Sequence, residues 1–172
     1  IKGQAFSVFN YDMIRGVFAA GALPIPLPIT FKKQKIDMQL DSIDGMIFTG
    51  GEDIHPSKYG QHPHINAHSM NEMRDEYEFK LIEKVLKRNI PSLFVCRGMQ
   101  LLNIHKGGTL FTDVTEIPGN TLEHWFIDPP SKPAHKVYLD NNHFVFNLFN
   151  KPIIEVNSIH HQMIKTLGDG LE

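Results

Sequence analysis

The chain has 172 residues, of which 41% are hydrophobic and 21% are charged, and its formal net charge is −2 with histidine neutral. This size and composition predict a single globular domain over residues 1–172. The small negative charge argues against a nucleic-acid partner or an anionic membrane surface. No apolar run approaches the roughly 20 residues of a membrane-spanning helix. A lone cysteine excludes an internal disulfide and favours a reducing, cytoplasmic compartment.

The two ends of the sequence indicate a fragment. The chain begins with Ile1 instead of methionine, and it stops in the segment Gly168–Glu172, which has the composition of a turn leading into another strand. We therefore expect both ends of the domain to be missing from these 172 residues.

Apolar spacing and turn residues predict the first four elements. Residues Asn10–Ala20 have the spacing of an amphipathic helix. Leu23–Pro28 alternates apolar residues with proline, which predicts an irregular strand at a sheet edge, because proline cannot donate to a ladder. Lys32–Asp41 is predicted to be a short helix. Gly45–Thr49 is a continuous apolar run, typical of a strand that is covered on both faces.

The glycine turn, Gly50–Gly51, directly follows that strand. Paired glycines allow backbone N–H groups to approach a ligand closely, although an ordinary tight turn has the same composition. The polar stretch 57–71 holds three histidines, but with no cysteine nearby we predict a solvated loop and no metal site. Glu72–Lys87 is the clearest helix, and its predicted apolar stripe consists of Phe79, Ile82, Val85 and Leu86. Arg74 in its first turn is either a surface charge or part of a site rim.

Cys96 lies where a short apolar strand, Pro91–Val95, meets a helix. A strand that turns abruptly into a helix presents its junction residue on a strained, exposed turn. The unpaired N–H groups of the helix favour a thiolate there, and Gly98 would let the helix cross over the strand. A lone cysteine is also often a small buried hydrophobe, and Phe94 stands where such a turn prefers glycine. The local pattern therefore leaves a nucleophile and an inert thiol both open.

The last third of the chain continues the alternation of helices and strands. The helix after Cys96 should end at Gly107–Gly108, and residues 115–133 should form a long irregular loop. Strands are predicted at His135–Leu139 and Pro152–Val156, with a short helix at Phe144–Phe149 between them.

This alternation predicts an α/β fold, a three-layer sandwich with a mostly parallel central sheet. Right-handed crossovers would place the glycine turn and Cys96 at the same edge of the sheet. One backbone N–H from the glycine turn and one from Arg97 would then meet there as an oxyanion hole.

Several segments, taken in order, resemble one family. The set resembles the gamma-glutamyl-gamma-aminobutyrate hydrolase group, which is peptidase C26-like and belongs to the class I glutamine amidotransferase-like superfamily. The matching segments are Gly50–Gly60, Arg74–Asp75, Cys96–Asn103, Gly107–Asp113 and Val156–Gln162. The resemblance implies a flavodoxin-like sandwich and a thiol hydrolase that cleaves gamma-glutamyl amides through a thioester.

The resemblance also implies a role for individual residues. Cys96 would be the nucleophile, and the backbone N–H groups of Gly51 and Arg97 would hold the oxyanion. Substrate would be bound by a larger set, namely Gly50, Gln100, Asn157, Ser158, His160, His161 and Gln162. The reaction needs no metal or organic cofactor, and the expected partner is a small gamma-glutamyl substrate. A homodimer is left open as the assembly.

The identity of the base leaves alternatives open. The family carries its catalytic base and orienting carboxylate in a His-Pro-Glu segment, which we expect after Glu172 in the parent protein. His160 or His161 is the local alternative, because histidine titrates near neutrality. Two other functions stay open, namely a glutaminase module that delivers ammonia to a synthetase partner and a non-catalytic relative that lacks the base.

Overall fold

The structure is a computed structural model that describes residues 7–63, 65, 69–119, 124 and 131–172. These residues fall into two compact units. The first comprises residues 7–47 and 72–93, and the second comprises the described residues that lie between 48 and 71 and between 94 and 172. The expectation of a single domain over the whole chain stays a prediction.

Helices and strands alternate along the described residues, which confirms the α/β class. The α-helices are α1 (Tyr11–Ala19), α2 (Lys33–Leu40), α3 (Glu72–Lys87), α4 (Arg97–His105) and α5 (Phe144–Phe149). The strands are β1 (Met46–Phe48), β2 (Ser92–Phe94), β3 (Thr109–Phe111), β4 (His135–Tyr138), β5 (Ile153–Val156) and β6 (Met163–Thr166). Each helix that the sequence predicted is present, as are the predicted strands around β1, β2, β4 and β5.

The predicted strand at Leu23–Pro28 is wrong, since these residues form no strand in the structure. Three prolines in six residues remove every second backbone donor, so the segment cannot build a ladder from its own N–H groups.

The strand pairing also differs from the prediction. Within the described residues the strands form three two-stranded sheets, β1 with β2, β3 with β6, and β4 with β5. The last two pairs are antiparallel, so the single, mostly parallel sheet is not what these residues show. Alternation of helix and strand predicts the class, but the partner of each strand depends on contacts distant in sequence. The three-layer sandwich stays a prediction.

In the first unit, α2 and α3 carry the buried side chains. Ile36 and Leu40 of α2 are 1% and 3% exposed, and Ile82 and Val85 of α3 are fully buried. Ion pairs connect this part of the unit, since Lys84 of α3 and Arg88, the residue that follows α3, both contact Asp37 on α2.

In the second unit, the fully buried residue Asn103 of α4 makes side-chain hydrogen bonds to β3 and β6. Its amide nitrogen donates to the backbone oxygens of Thr109 and Thr166 at 3.2 and 3.0 Å. Its side-chain oxygen accepts from the N–H of Gly168 at 2.8 Å. This side chain therefore replaces backbone pairing where three segments meet.

The predicted loop at 115–133 lies partly outside the described residues. Its described part is irregular apart from a short 3₁₀ turn at Val114–Glu116. Among all the helices that the structure describes, none combines the length and apolar character that crossing a membrane requires.

Candidate active site

Cys96 occupies the sharp turn between β2 and α4, as the sequence predicted. Its backbone has φ 51° and ψ −109°, a conformation that L-residues other than glycine rarely adopt. The residue is exposed to solvent, so the inert buried thiol is not what the structure shows. Strained backbone of this kind is typical of functional residues that a fold holds in one orientation.

Gly98 allows α4 to begin at this point. A Cβ at position 98 would lie 2.3 Å from the backbone oxygen of Phe48, well inside any permitted contact. The sequence correctly required a missing side chain here, but the strand that approaches so closely is β1 and not the preceding strand β2. The start of α4 therefore depends on a close backbone approach that only glycine allows.

Phe94, two residues before the thiol, packs without disturbing this turn. Its ring stacks on that of Phe48, with 4.9 Å between ring centroids and 4° between planes. The backbone N–H of Val95 donates to the oxygen of Phe48 at 2.9 Å. A large residue is accommodated at this position because β1 provides an aromatic partner for it.

The glycine turn lies beside the thiol. A Cβ added at Gly50 would be 3.5 Å from the Cβ of Cys96 and 3.9 Å from its sulfur. Gly51 has φ 155°, which side-chain-bearing residues rarely adopt. The turn after β1 and the turn after β2 thus meet, as the fold argument predicted.

The pKa of the Cys96 thiol is raised above its ordinary value. Desolvation of the sulfur by the surrounding atoms is the largest cause, and the negative charge of Asp53 adds to it. The backbone N–H and the positive charge of Arg97 act in the opposite direction but do not outweigh them. The helix start alone therefore does not deliver the thiolate expected from the sequence, and the thiol needs a base.

Gln100 and Gln162, two predicted substrate-binding residues, are buried and adjacent. The side-chain amide of Gln100 donates to the backbone oxygen of Gln162 at 3.4 Å. The side-chain amide of Gln162 lies 3.5 Å from the oxygen of Thr112, and its own side-chain oxygen is buried and has no hydrogen-bond partner among the described residues. An unsatisfied buried acceptor in this position suits a ligand that carries N–H donors.

Ser158 and His160 belong to the same segment and share one neighbour, His124. The hydroxyl of Ser158 is 2.9 Å from Nδ1 of His124, and the N–H of His160 donates to the His124 backbone oxygen at 2.9 Å. Sequence reasoning did not single out His124. It sits in a stretch with no helical or strand pattern, so no local signal marked it.

The ring of His160 stays neutral near pH 7. Burial is the main cause that lowers its pKa, and His135 and His161 lower it further. Its Nδ1 donates to the backbone oxygen of Gln162 at 3.1 Å. The assignment of His160 or His161 as the local base stays a prediction.

His161 is held between two carboxylates that the sequence analysis did not recognise as partners. Its Nε2 lies 2.8 and 3.0 Å from the two carboxylate oxygens of Asp53. Its Nδ1 lies 3.3 Å from the carboxylate of Asp113. All three residues are buried, with 5% to 9% of their surface exposed. Asp53 and Asp113 both lie in segments that carry the family resemblance, Gly50–Gly60 and Gly107–Asp113, but no spacing in the sequence marked them as partners of His161.

The remaining predicted residues are placed as follows. Asn157 is exposed next to Ser158. Arg74 belongs to the first unit, where its Nε contacts Glu78 at 2.8 Å, and its role at a site rim stays a prediction. His64 and His68 lie outside the described residues. Within the part that is described, no group of three or more histidine, cysteine or acidic side chains is arranged to hold a metal ion.

The chain is similar in sequence to several known proteins. A Schizosaccharomyces pombe protein named "Putative glutamine amidotransferase PB2B2.05" is 37% identical over 172 residues, which cover 97% of this chain and 64% of that protein. Protein NtpR of Enterococcus hirae is 38% identical, with 99% and 71% covered. Gamma-glutamyl-gamma-aminobutyrate hydrolase PuuD of Escherichia coli K12 is 27% identical, with 99% and 69% covered. The chain thus spans 64% to 71% of the length of these relatives.

These likenesses place the chain in the glutamine amidotransferase-like class. The family model of peptidase C26 matches residues 1–172, and the chain therefore belongs to the peptidase C26 family. The resemblance drawn from the sequence motifs is confirmed at this level.

Proposed function

We propose that the protein is a thiol hydrolase that cleaves gamma-glutamyl amide bonds, with Cys96 as its nucleophile. The observation that carries this proposal is the exposed thiol on a strained turn, within 3.9 Å of the position that a Gly50 side chain would occupy. A nucleophile beside backbone N–H groups on a separate turn is the arrangement that acyl transfer requires.

The reaction begins when the Cys96 thiolate attacks the carbonyl carbon of the amide. The oxygen of the tetrahedral intermediate becomes negative, and the N–H groups of Gly51 and Arg97 are the proposed donors to it. The carbon–nitrogen bond then breaks, and the amine leaves with a proton from the general acid. Water attacks the resulting thioester and releases glutamate with the free thiol.

The raised pKa of Cys96 makes the base a required part of this mechanism. The thiol is mostly protonated at neutral pH, so a base must accept its proton as the substrate binds. The resemblance assigns that base to a His-Pro-Glu segment, a motif that residues 1–172 do not contain.

The glutamyl end of the substrate is proposed to lie against the buried amides. The side-chain oxygen of Gln162, which has no hydrogen-bond partner among the described residues, can accept a hydrogen bond from an ammonium group. Gln100 lies next to Gln162. The name of the E. coli relative, a gamma-glutamyl-gamma-aminobutyrate hydrolase, supports this substrate class.

A glutaminase is the second candidate, because the S. pombe relative is named as a glutamine amidotransferase. The two differ in the amine that leaves, which is ammonia in one case and a larger amine in the other. The two candidates are separated by comparing turnover of glutamine with turnover of a panel of other gamma-glutamyl amides. Each assay is run with and without added cell extract as a source of a synthetase.

The decisive test uses the purified full-length protein and measures release of the amine and of glutamate. Cys96→Ala should abolish turnover while thermal unfolding stays cooperative. His62→Gln, a change at an exposed histidine outside the site, is the matched control and should retain activity. Normal turnover by Cys96→Ala would overturn the proposal.

A labelling experiment distinguishes the enzyme from a non-catalytic relative. A glutamine analogue that bears a chloroketone is added to the full-length protein, and the modified residue is identified by mass spectrometry. The enzyme should be labelled at Cys96 far faster than the unfolded protein is. Equal rates in the folded and unfolded protein would favour the non-catalytic relative.

A further inference from the structure

Asp53, His161 and Asp113 form a buried line of three side chains across the second unit. They come from three separate segments, since Asp53 follows the glycine turn, Asp113 follows β3 and His161 precedes β6. Their contacts join residues that are 108 and 48 positions apart in sequence. The arrangement therefore belongs to the tertiary fold and not to any one element.

Both ring nitrogens of His161 face a carboxylate at hydrogen-bond distance. A neutral imidazole has one N–H, so it can donate to only one of them, and only the imidazolium can donate to both. Thr115 donates to the carboxylate of Asp113 through its hydroxyl and its backbone N–H, at 2.5 and 2.8 Å, which keeps that carboxylate ionised. Hydrogen bonds to both carboxylates at once therefore require a ring that carries a proton on each nitrogen.

Asp53 connects this line to the nucleophile. It lies two residues beyond Gly51, and its backbone N–H donates to Ser69 at 3.2 Å. Its negative charge is one of the influences that disfavour the thiolate of Cys96. A positive charge next to the Asp53 carboxylate would offset this effect and favour the thiolate of Cys96. The ring of His161 lies where it can supply that charge.

We propose that His161 is a positioning residue, which as an imidazolium bridge fixes Asp53 and the glycine turn beside Cys96 and offsets the charge of Asp53. The inference rests on the proposed function, because it matters only where Cys96 acts as a thiolate. This positioning role is proposed for the His161 ring in place of direct contact with the substrate, because both ring nitrogens already have carboxylate partners. The other charged or titratable groups that bear on this path are His160 beside the ring and Arg97 beside the thiol.

The first measurement is the protonation of the ring itself. Nitrogen-15 NMR of the full-length protein at pH 7.5, with the His161→Gln variant used for assignment, reports both ring nitrogens. We expect both to carry a proton. A ring with one bare nitrogen at this pH would overturn the proposal.

The second measurement is the pH dependence of alkylation of Cys96 by iodoacetamide, which needs no substrate. His161→Gln should move the midpoint upward by about one pH unit, which is about a tenfold slower reaction at pH 7. Adding Asp53→Asn should bring the midpoint back to the wild-type value or below it. The control His62→Gln should leave it unchanged.

The variants remain informative if His161→Gln does not fold. Asp113→Asn is then used instead. This variant keeps the His161 ring but removes one of the two carboxylates that stabilise its protonated form, so the midpoint of Cys96 alkylation should move in the same direction. A midpoint that stays at the wild-type value in a folded variant at either position would reduce His161 to a structural role. Such a result would leave the hydrolase proposal intact, because turnover by Cys96 is tested separately.

Discussion

Gly98 of α4 faces the backbone oxygen of Phe48 in β1 so closely that a Cβ there would lie only 2.3 Å from it. This approach fixes where α4 begins and hence where Cys96 is held. The relation between strand and helix, more than the thiol itself, defines the candidate site.

Gly98→Ala should therefore destabilise the protein by about 1–3 kcal/mol, the usual cost of overpacking, and should slow alkylation of Cys96. Gly16→Ala is the matched control. Gly16 lies within α1 with no atom near enough to meet a new methyl group, so the change should be neutral or stabilising by up to about 1 kcal/mol. Urea unfolding of the two variants checks the contrast, and equal stability would contradict the role of the close approach.

Asn103→Ala should be severely destabilising. The change leaves the N–H of Gly168 and the oxygens of Thr109 and Thr166 without their side-chain partner. Each buried polar group left unpaired costs about 1–3 kcal/mol. Asn147→Ala, at an exposed position of α5, should change the free energy of unfolding by less than about 0.5 kcal/mol. Similar losses for both variants would show that Asn103 does not fasten α4.

Asp113 should stabilise the fold in a pH-dependent way. Burial alone would raise the pKa of its carboxyl, but hydrogen bonds from Thr115 and His161 hold the pKa at about 2. Because the folded value lies below the unfolded one, the stabilisation is present above about pH 4 and is lost as pH falls towards 2. After allowance for solvent screening it amounts to the order of 1 kcal/mol.

Unfolding of Asp113→Asn, followed from pH 6 to pH 2, tests this expectation. The variant should be less stable than the wild type at pH 6, and the difference should vanish near pH 2. Asp44→Asn, at an exposed aspartate, should show no such dependence. A constant difference at every pH would mean that the carboxylate is not the stabilising group.

Tyr77 should make the first unit sensitive to alkali. Burial, and then the charge of Glu78, raise the pKa of its phenol to about 12 against an ordinary 10.0. Because the folded value is the higher one, the proton stabilises the fold fully below pH 10, and this contribution is lost as pH rises from about 10 to 12. Tyr77→Phe should lack this alkaline loss.

Tyr77→Phe should also lower the free energy of unfolding by about 1 kcal/mol at pH 7, because the phenol donates a hydrogen bond to the side-chain oxygen of Gln39 at 2.9 Å. Tyr138→Phe, at a side chain that is 76% exposed, is the control for both effects. If the two variants behave alike from pH 7 to 12, the Tyr77 phenol contributes nothing specific.

Much of the local structure was predictable because its causes are local. The bounds of α3 follow from acidic residues at its start, basic residues at its end and an asparagine and proline after it. The buried side of that helix was only partly predicted, since Ile82 and Val85 are buried as expected, whereas Tyr77 and Leu81 complete it in place of Phe79 and Leu86. Spacing indicates a face, but the packing partners determine its centre.

The sequence by itself determined where the helices and the strands β1, β2, β4 and β5 lie, that Cys96 stands on a turn between strand and helix, and that Gly98 must lack a side chain. These features depend on spacing and backbone conformation within a few residues. Only the tertiary structure decided that β3 pairs with β6 and that the pKa of the thiol is raised. It alone also placed His161 between Asp53 and Asp113. Such contacts join residues tens of positions apart, and burial acts through all the atoms that fold around a group, so no local pattern encodes them.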